Sequence, residues 1–282
     1  MVEQTQVIPP PSPGAGEYLE QAMAWSDEVR AKTRCALDLA YCDGERQKLD
    51  VYMPDEANPG LAQGPAPVLL FFHGGYWVIG HKDLMGFMAP AITPAPALLV
   101  PVGYRLAPGA KYPQQVDDCR AALRWVYGHI ADYGGDPERI YVSGHSAGGH
   151  LAALMTLQRE RLAAVGLPPD VIKGCFPVSG VFDVTETPPD RREAFLKSDD
   201  DAREASPMYS TQGNATPFLL EIGSDDFDNL RAQHPRMLAA LRREQGYVEE
   251  MVREGHNHFQ ISLDHADYDS PWTRRVREWM AG

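Results

Sequence analysis

The sequence predicts an α/β protein, with a mostly parallel central sheet covered by helices on both faces. Three observations predict it. Short apolar runs recur along the chain, and most are continuous rather than alternating, as strands buried on both faces require. Between them lie stretches whose apolar residues are spaced by three and four, the helical pattern. At 282 residues the chain is long enough for one large core, and a fold of this class and length is ordinarily one domain.

The elements follow in order. Residues 1–17 read as a flexible N-terminal lead-in, proline-rich over 9–13. Residues 18–282 read as a single domain. Residues 36–41 and 47–53 alternate in polarity and predict an opening antiparallel pair. Residues 68–72 and 98–102 predict buried strands. Residues 114–133 place Val116, Cys119, Leu123, Val126, Tyr127 and Ile130 at helical spacing. Residues 140–143 predict a strand and 148–158 a helix. Strands are predicted again at 174–178, 218–222 and 247–252. Leu230, Met237, Leu238 and Leu241 mark a helix over 229–243, and 272–280 closes the chain as another. Alternation of strand and helix argues for a parallel sheet. Residues 182–216 break the rhythm. They are polar, rich in Asp and Pro, and too long for an ordinary connection. They read as a cap-like insertion over the carboxyl ends of the strands, where open α/β sheets bind ligands.

Charge narrows the partners. With 39 acidic and 26 basic residues the net charge is −13. Nucleic acid and anionic membrane surfaces are disfavoured, since both require a basic footprint. The N-terminus has no basic region followed by an apolar one, and no run approaches the length of a membrane span. Cys35, Cys42, Cys119 and Cys175 are scattered without metal spacing, as in a reduced cytoplasmic protein. No cofactor is predicted, and oligomeric state is not legible.

Four short stretches carry chemistry. In YVSGHSAGG (141–149), Ser146 stands between Gly144 and Gly148 on a strand-to-helix turn. That context makes Gly-x-Ser-x-Gly a nucleophile elbow. A Cβ at either glycine would collide with the neighbouring strand or helix. The N–H of Ala147, at the helix start, points at an anion beside the serine oxygen. The competing reading is a turn serine that caps the helix. In FFHGGYW (71–77), two glycines directly after a buried strand expose backbone N–H groups, so Gly74 and Gly75 are candidate oxyanion donors. Alone, this stretch reads more readily as a glycine turn before core aromatics.

In FLLEIGSDDFDNL (218–230), an acid after a strand suits the residue that orients a catalytic histidine. Asp225, Asp226 and Asp228 are available. Asp228 directly precedes a helix and reads as its N-cap, while Asp225 and Asp226 are not separated. In REGHNHFQISLDH (253–265), His256 and His258 both suit a general base after the last strand. His256, His258, Asp264 and His265 also read as a metal cluster, without the supporting spacing. His145 and His150 flank the serine and read as packing or locally hydrogen-bonded residues. The order serine, acid, histidine is that of one serine-hydrolase scaffold and not of the other two common ones.

The chain resembles the α/β-hydrolase superfamily, and within it the kynurenine formamidase (arylformamidase) and related carboxylesterase group. The resemblance is carried by His73-Gly74-Gly75-Tyr76-Trp77, by Gly144-His145-Ser146-Ala147-Gly148-Gly149-His150-Leu151, by Asn257-His258-Phe259, and by RLAPGAKYP over 105–113. It implies the α/β-hydrolase fold from about Tyr18 onwards. It implies Ser146 as nucleophile, His258 as base, and Asp226, three residues past Gly223, as the acid. It implies a small-molecule ester or N-formyl aryl amide as substrate, with no metal. Tyr76 and Trp77 are expected to stack on an aromatic leaving group, against a competing reading as core. The 182–216 insertion is expected to shape the pocket. A broad carboxylesterase and a non-catalytic binder of the same fold are the alternatives.

Overall fold

The structure, a computed structural model, describes residues 12–60 and 64–282. Its centre is an eight-stranded sheet, β1 (Cys35–Ala40), β2 (Lys48–Tyr52), β3 (Ala66–Phe72), β4 (Leu98–Val102), β5 (Gly135–His145), β6 (Ile172–Val178), β7 (Phe218–Gly223) and β8 (Val248–Arg253), in the spatial order β1-β2-β4-β3-β5-β6-β7-β8. β2 pairs antiparallel with β1 and with β4, and every other pairing is parallel. The predicted runs lie within these strands or overrun their ends by a residue or two.

The helices are α1 (Ala15–Lys32), α2 (Ala89–Ile92), α3 (Gln114–His129), α4 (Ala147–Leu157), α5 (Arg159–Ala164), α6 (Pro189–Phe195), α7 (Asp228–Arg242), α8 (Gln260–Leu263) and α9 (Pro271–Ala281). The alternation of strand side chains assigns them to two layers. Val68, Leu70 and Phe72 point into a core with α3, α4 and α7. Leu69 and Phe71 point the other way, towards α1, α9 and the 3₁₀ segment Lys82–Met88. β3 and β5 are therefore apolar on both faces, which is why their sequence signal is continuous.

Two expectations change. The N-terminal lead-in is shorter than 17 residues, because α1 begins at Ala15 behind a turn at Ser12–Gly14; residues 1–11 lie outside the described residues. Ala15, Tyr18, Ala22 and Ser26 form the buried stripe of α1. Small and hydroxylated side chains there explain why the helix left little apolar periodicity. The segment 182–216 is not a separate layer but a series of short turns, Val184–Glu186, α6, Asp199–Ala202 and Pro207–Tyr209, packed onto the main core through Val184, Phe195, Leu196, Ala202 and Ala205.

Candidate active site

β5 ends at His145 and α4 begins at Ala147, so Ser146 occupies the turn alone. Its φ of 56° and ψ of −119° are a strained backbone for a residue with a Cβ. The turn is tight because its neighbours are bare. A Cβ on Gly148 would stand 1.9 Å from the Phe72 carbonyl oxygen, and one on Gly144 2.4 Å from the Gly148 carbonyl carbon. Ser146 holds the cap position of α4, yet its side chain makes no cap hydrogen bond, so capping does not account for it. Its N–H donates to the Val178 carbonyl at 2.8 Å, which fixes the turn to β6.

The structure separates the candidate acids and bases that the sequence left open. His258 Nδ1–H donates to Asp226 Oδ1 at 2.8 Å, and both side chains are buried. Asp226 also accepts from the Phe227 N–H at 2.6 Å and from Ser179 Oγ at 2.5 Å. Burial would raise the Asp226 carboxyl, but the bond and charge of His258, with these two further donors, hold it below its ordinary value. Asp225 faces outward and takes a bond from Ser224 Oγ. His256 is half-buried, with Nδ1 3.0 Å from the Glu254 carbonyl oxygen and Nε2 3.8 Å from Asp264. Asp228 is not an N-cap: Phe227 occupies that position, and Asp228, one residue inside the helix, pairs with Arg231 instead.

The histidine-rich stretch does not converge on one point. His258 serves Asp226, while His265 Nε2 bonds the buried Glu221 and Asp264 meets Arg253. Among the described residues, the grouped carboxylates are Asp38, Asp50 and Asp83. These hold the buried Lys82 ammonium at 2.8, 2.7 and 2.7 Å. The cluster pins the Lys82–Met88 segment against β2, and that segment presents Leu84 and Met85 to the site.

Ser146 and His258 open into a narrow pocket of about 40 Å³, walled by Gly74, Gly75, Tyr76, Leu84, Phe227 and Phe259 among others. Among the described residues its lining carries no Asp, Glu, Lys or Arg. Gly74 lies against the nucleophile turn, since a Cβ there would be 3.2 Å from Ser146 Cβ. Gly75, at φ 115°, has no room for a Cβ, which would fall 2.3 Å from the Ile79 carbonyl oxygen. Tyr76 reaches the pocket, with Arg191 5.3 Å over its ring.

Trp77 does not bind from this pocket, contrary to the sequence expectation. It is fully buried, stacks on Phe195 at 4.2 Å and donates its Nε1–H to His150 Nδ1 at 3.0 Å. Both of its chemical features are satisfied by the core. His150 in turn donates from Nε2 to the Ala205 carbonyl at 2.7 Å, and burial lowers its pKa to about 4. The segment 182–216 thus backs Trp77 and His150 and contributes no described residue to the pocket lining. The lining comes instead from Ser12, Ala15, Tyr18 and Leu19 at the start of α1, which the sequence reading missed. Tyr18 stacks on Phe259 at 5.3 Å and bonds Ser262 at 3.1 Å, tying α1 to the loop that carries His258. Ser179 was missed as well. Its only sequence signal is a Ser-Gly pair directly after the strand beside the nucleophile strand.

Comparison with known proteins bears on the family and the fold. The family described as the alpha/beta hydrolase fold matches residues 69–261. A kynurenine formamidase of Danio rerio is 36% identical over 162 residues, 56% of this chain and 50% of that protein. Esterase LipC of Mycobacterium tuberculosis is 30% identical over 234 residues, 74% of this chain and 56% of that protein. The chain thus spans about half the length of these curated relatives. Among solved structures, a putative thioesterase of a Silicibacter species superposes with a TM-score of 0.76 at 24% identity, over 93% of both chains, a likeness of fold.

Proposed function

The chain belongs to the alpha/beta hydrolase fold family, and from that premise we propose that it is a serine hydrolase that removes a small acyl group, formyl above all, from an aryl amide. The observation that carries the reading is the presence at one pocket of a strained, uncapped Ser146 and of His258, which is coupled to the buried Asp226. His258 donates through Nδ1, so its Nε2 is the basic atom. It takes the Ser146 proton as Oγ attacks the carbonyl carbon. Asp226 holds the ring in this tautomer and stabilises the imidazolium. The N–H groups of Gly74, Gly75 and Ala147 receive the oxyanion, where one donor is worth about 2.7–4 kcal/mol. His258 then protonates the leaving nitrogen as the C–N bond breaks. In the second half it activates water, which releases the acid from Ser146.

The narrow, apolar pocket supports a small acyl group and an uncharged aromatic leaving group, with Tyr76, Phe227 and Phe259 as its aromatic walls. Similarity to the Danio rerio kynurenine formamidase favours the amide. Similarity to esterase LipC favours a second reading, a broad carboxylesterase with the same residues in the same roles. Scattered cysteines fit a reducing compartment such as the cytoplasm. The test is turnover of N-formyl anilides and of p-nitrophenyl esters by wild type and by Ser146→Ala, His258→Ala and His256→Ala. Formanilide and acetate esters are expected to be cleaved and octanoate esters to be poor. Ser146→Ala and His258→Ala should each lose several powers of ten in kcat, and His256→Ala little. A few per cent of wild-type kcat in pure Ser146→Ala refutes the nucleophile. Failure of a serine-reactive phosphonate to label the wild type supports a non-catalytic binder instead.

A further inference from the structure

We propose that His145 sets the leaving-group preference: its Nδ1 accepts a hydrogen bond from the N–H of an amide substrate, which an ester of the same acyl group does not possess. The inference rests on the reading of Ser146 as nucleophile. It concerns the residue directly before it.

Three observations carry it. The first is the tautomer. His145 Nε2 lies 2.8 Å from the His258 carbonyl oxygen, which is only an acceptor. The proton therefore sits on Nε2, and Nδ1 is left with a lone pair. Burial, with the adjacent His258, pushes the His145 pKa well down, so the ring stays neutral and the lone pair stays available. The second is position. A Cβ on Gly74 would be 3.2 Å from His145 Nδ1 and 3.2 Å from Ser146 Cβ, so this nitrogen faces the junction of nucleophile and oxyanion loop. The third is access. Among the described residues Nδ1 has no hydrogen-bond partner, and His145 lines the pocket. His73, the other neutral histidine there, offers no such acceptor: its Nδ1 serves the Gly74 carbonyl, and its Nε2 is sealed off.

The chemistry gives an acceptor at this place a purpose. When the tetrahedral intermediate collapses, the C–N electron pair leaves with nitrogen and the His258 proton goes to the nitrogen lone pair. That lone pair must face His258, so the hydrogen already on nitrogen must point elsewhere in a desolvated pocket. Without an acceptor it is an unpaired buried donor. His145 Nδ1 receives it. Ester oxygen carries no hydrogen and makes no use of the group.

The test compares formanilide with phenyl formate, which share acyl and aryl groups. His145→Leu removes both the Nδ1 acceptor and the bond to the His258 carbonyl. Losing the second affects both substrates alike. The proposal expects formanilide kcat/KM to fall at least tenfold further than phenyl formate. An equal fall, with the ratio unchanged, overturns it and leaves His145 as a clamp on the His258 loop. A second measurement needs no variant. In wild type, N-methylformanilide, which lacks the N–H, is expected to be cleaved at least a hundredfold more slowly than formanilide. Comparable rates overturn the proposal, as does a wild type that cleaves phenyl formate and leaves formanilide untouched. Either result leaves the nucleophile standing. Failure to cleave both substrates, with Ser146 unlabelled by phosphonate, brings down the nucleophile reading and this inference together.

Discussion

Three donors meet the Asp226 carboxylate, and two of them, Ser179 and the Phe227 N–H, lie outside the proposed triad. Ser179, fully buried, gives Oδ2 a hydrogen bond of 2.5 Å while His258 and the Phe227 N–H take Oδ1. Ser179 has φ 49°, a left-handed conformation that costs a serine energy and that glycine adopts freely. That asymmetry allows a clean test of a positioning role. Ser179→Gly relieves the backbone while deleting the CH2OH side chain, so the melting temperature should change little. A hydrogen bond to a charged group is worth about 1.5–3 kcal/mol, so a fall in kcat of roughly 10- to 100-fold is expected, with KM nearly constant. Unchanged kcat would show that the carboxylate is held well enough without Ser179. The same region shows what the sequence could resolve about single residues. Ser146 was legible because its two flanking glycines are sterically obligatory. Asp225 and Asp226 were not separable from the residues alone, because adjacent residues after a strand differ only in which way the loop turns them; only the resemblance pointed to Asp226. Trp77 was misread, since a sequence does not reveal that His150 and Phe195, distant along the chain, enclose an indole.

At the scale of elements, the start of α1 and the Lys82–Met88 segment wall the site from opposite sides of the chain order. α1 is held to the segment by Ser26, whose Oγ accepts from the Phe87 N–H at 3.0 Å, and by Arg30, which donates to the Asp83 carbonyl at 3.1 Å. It is held to the His258 loop by Tyr18. The hydroxyl of Tyr18 is desolvated enough that its pKa is raised to about 12. Tyr18→Phe removes only the bond to Ser262 and should cost about 1 kcal/mol of stability. Tyr18→Ala also removes the stacking on Phe259, and loss of such a buried aromatic typically costs about 3–5 kcal/mol. Because α1 packs on the outside of the sheet, part of that loss should appear locally. KM for formanilide is expected to rise several-fold, and limited proteolysis should release the N-terminal segment before the sheet unfolds. An unchanged KM in Tyr18→Ala would mean that α1 does not shape the substrate site. The strands and the helices α3, α7 and α9 were legible because their apolar residues are large and periodic. α1 was not, because its buried stripe is built from Ala, Tyr and Ser at 15, 18, 22 and 26 and depends on partners more than 50 residues away.

Across the whole molecule, four buried histidines have their pKa lowered for reasons that belong to the fold rather than to the chemistry. Burial lowers His73 to about 3, His150 to about 4, His145 well below its ordinary value, and His234 below its own. In the unfolded chain each returns to about 6.5. Between the folded and unfolded values the unfolded state binds more protons, so stability rises with pH across that window. The contribution is complete above about pH 6.5 and is lost as pH falls towards about 4, by up to about 1.4 kcal/mol per pH unit for each histidine. The carboxyls of Asp226 and Asp83, both held below their ordinary values by their partners, act in the same direction at lower pH. Their contribution is present above the unfolded carboxylate range near 4 and is lost as pH falls through the depressed folded values. Urea unfolding is therefore expected to show nearly constant stability from pH 8 to pH 7 and a steep decline from pH 6.5 to pH 4.5. The slope reflects the protons that these rings take up on unfolding. Replacing one of them tests the origin of the slope. In His150→Gln the amide can still bond Trp77 or Ala205 but does not titrate, so the decline should lose close to one proton whatever the stability at pH 8. A wild type whose stability is flat between pH 6.5 and pH 4.5 would mean that these rings are protonated in the folded state.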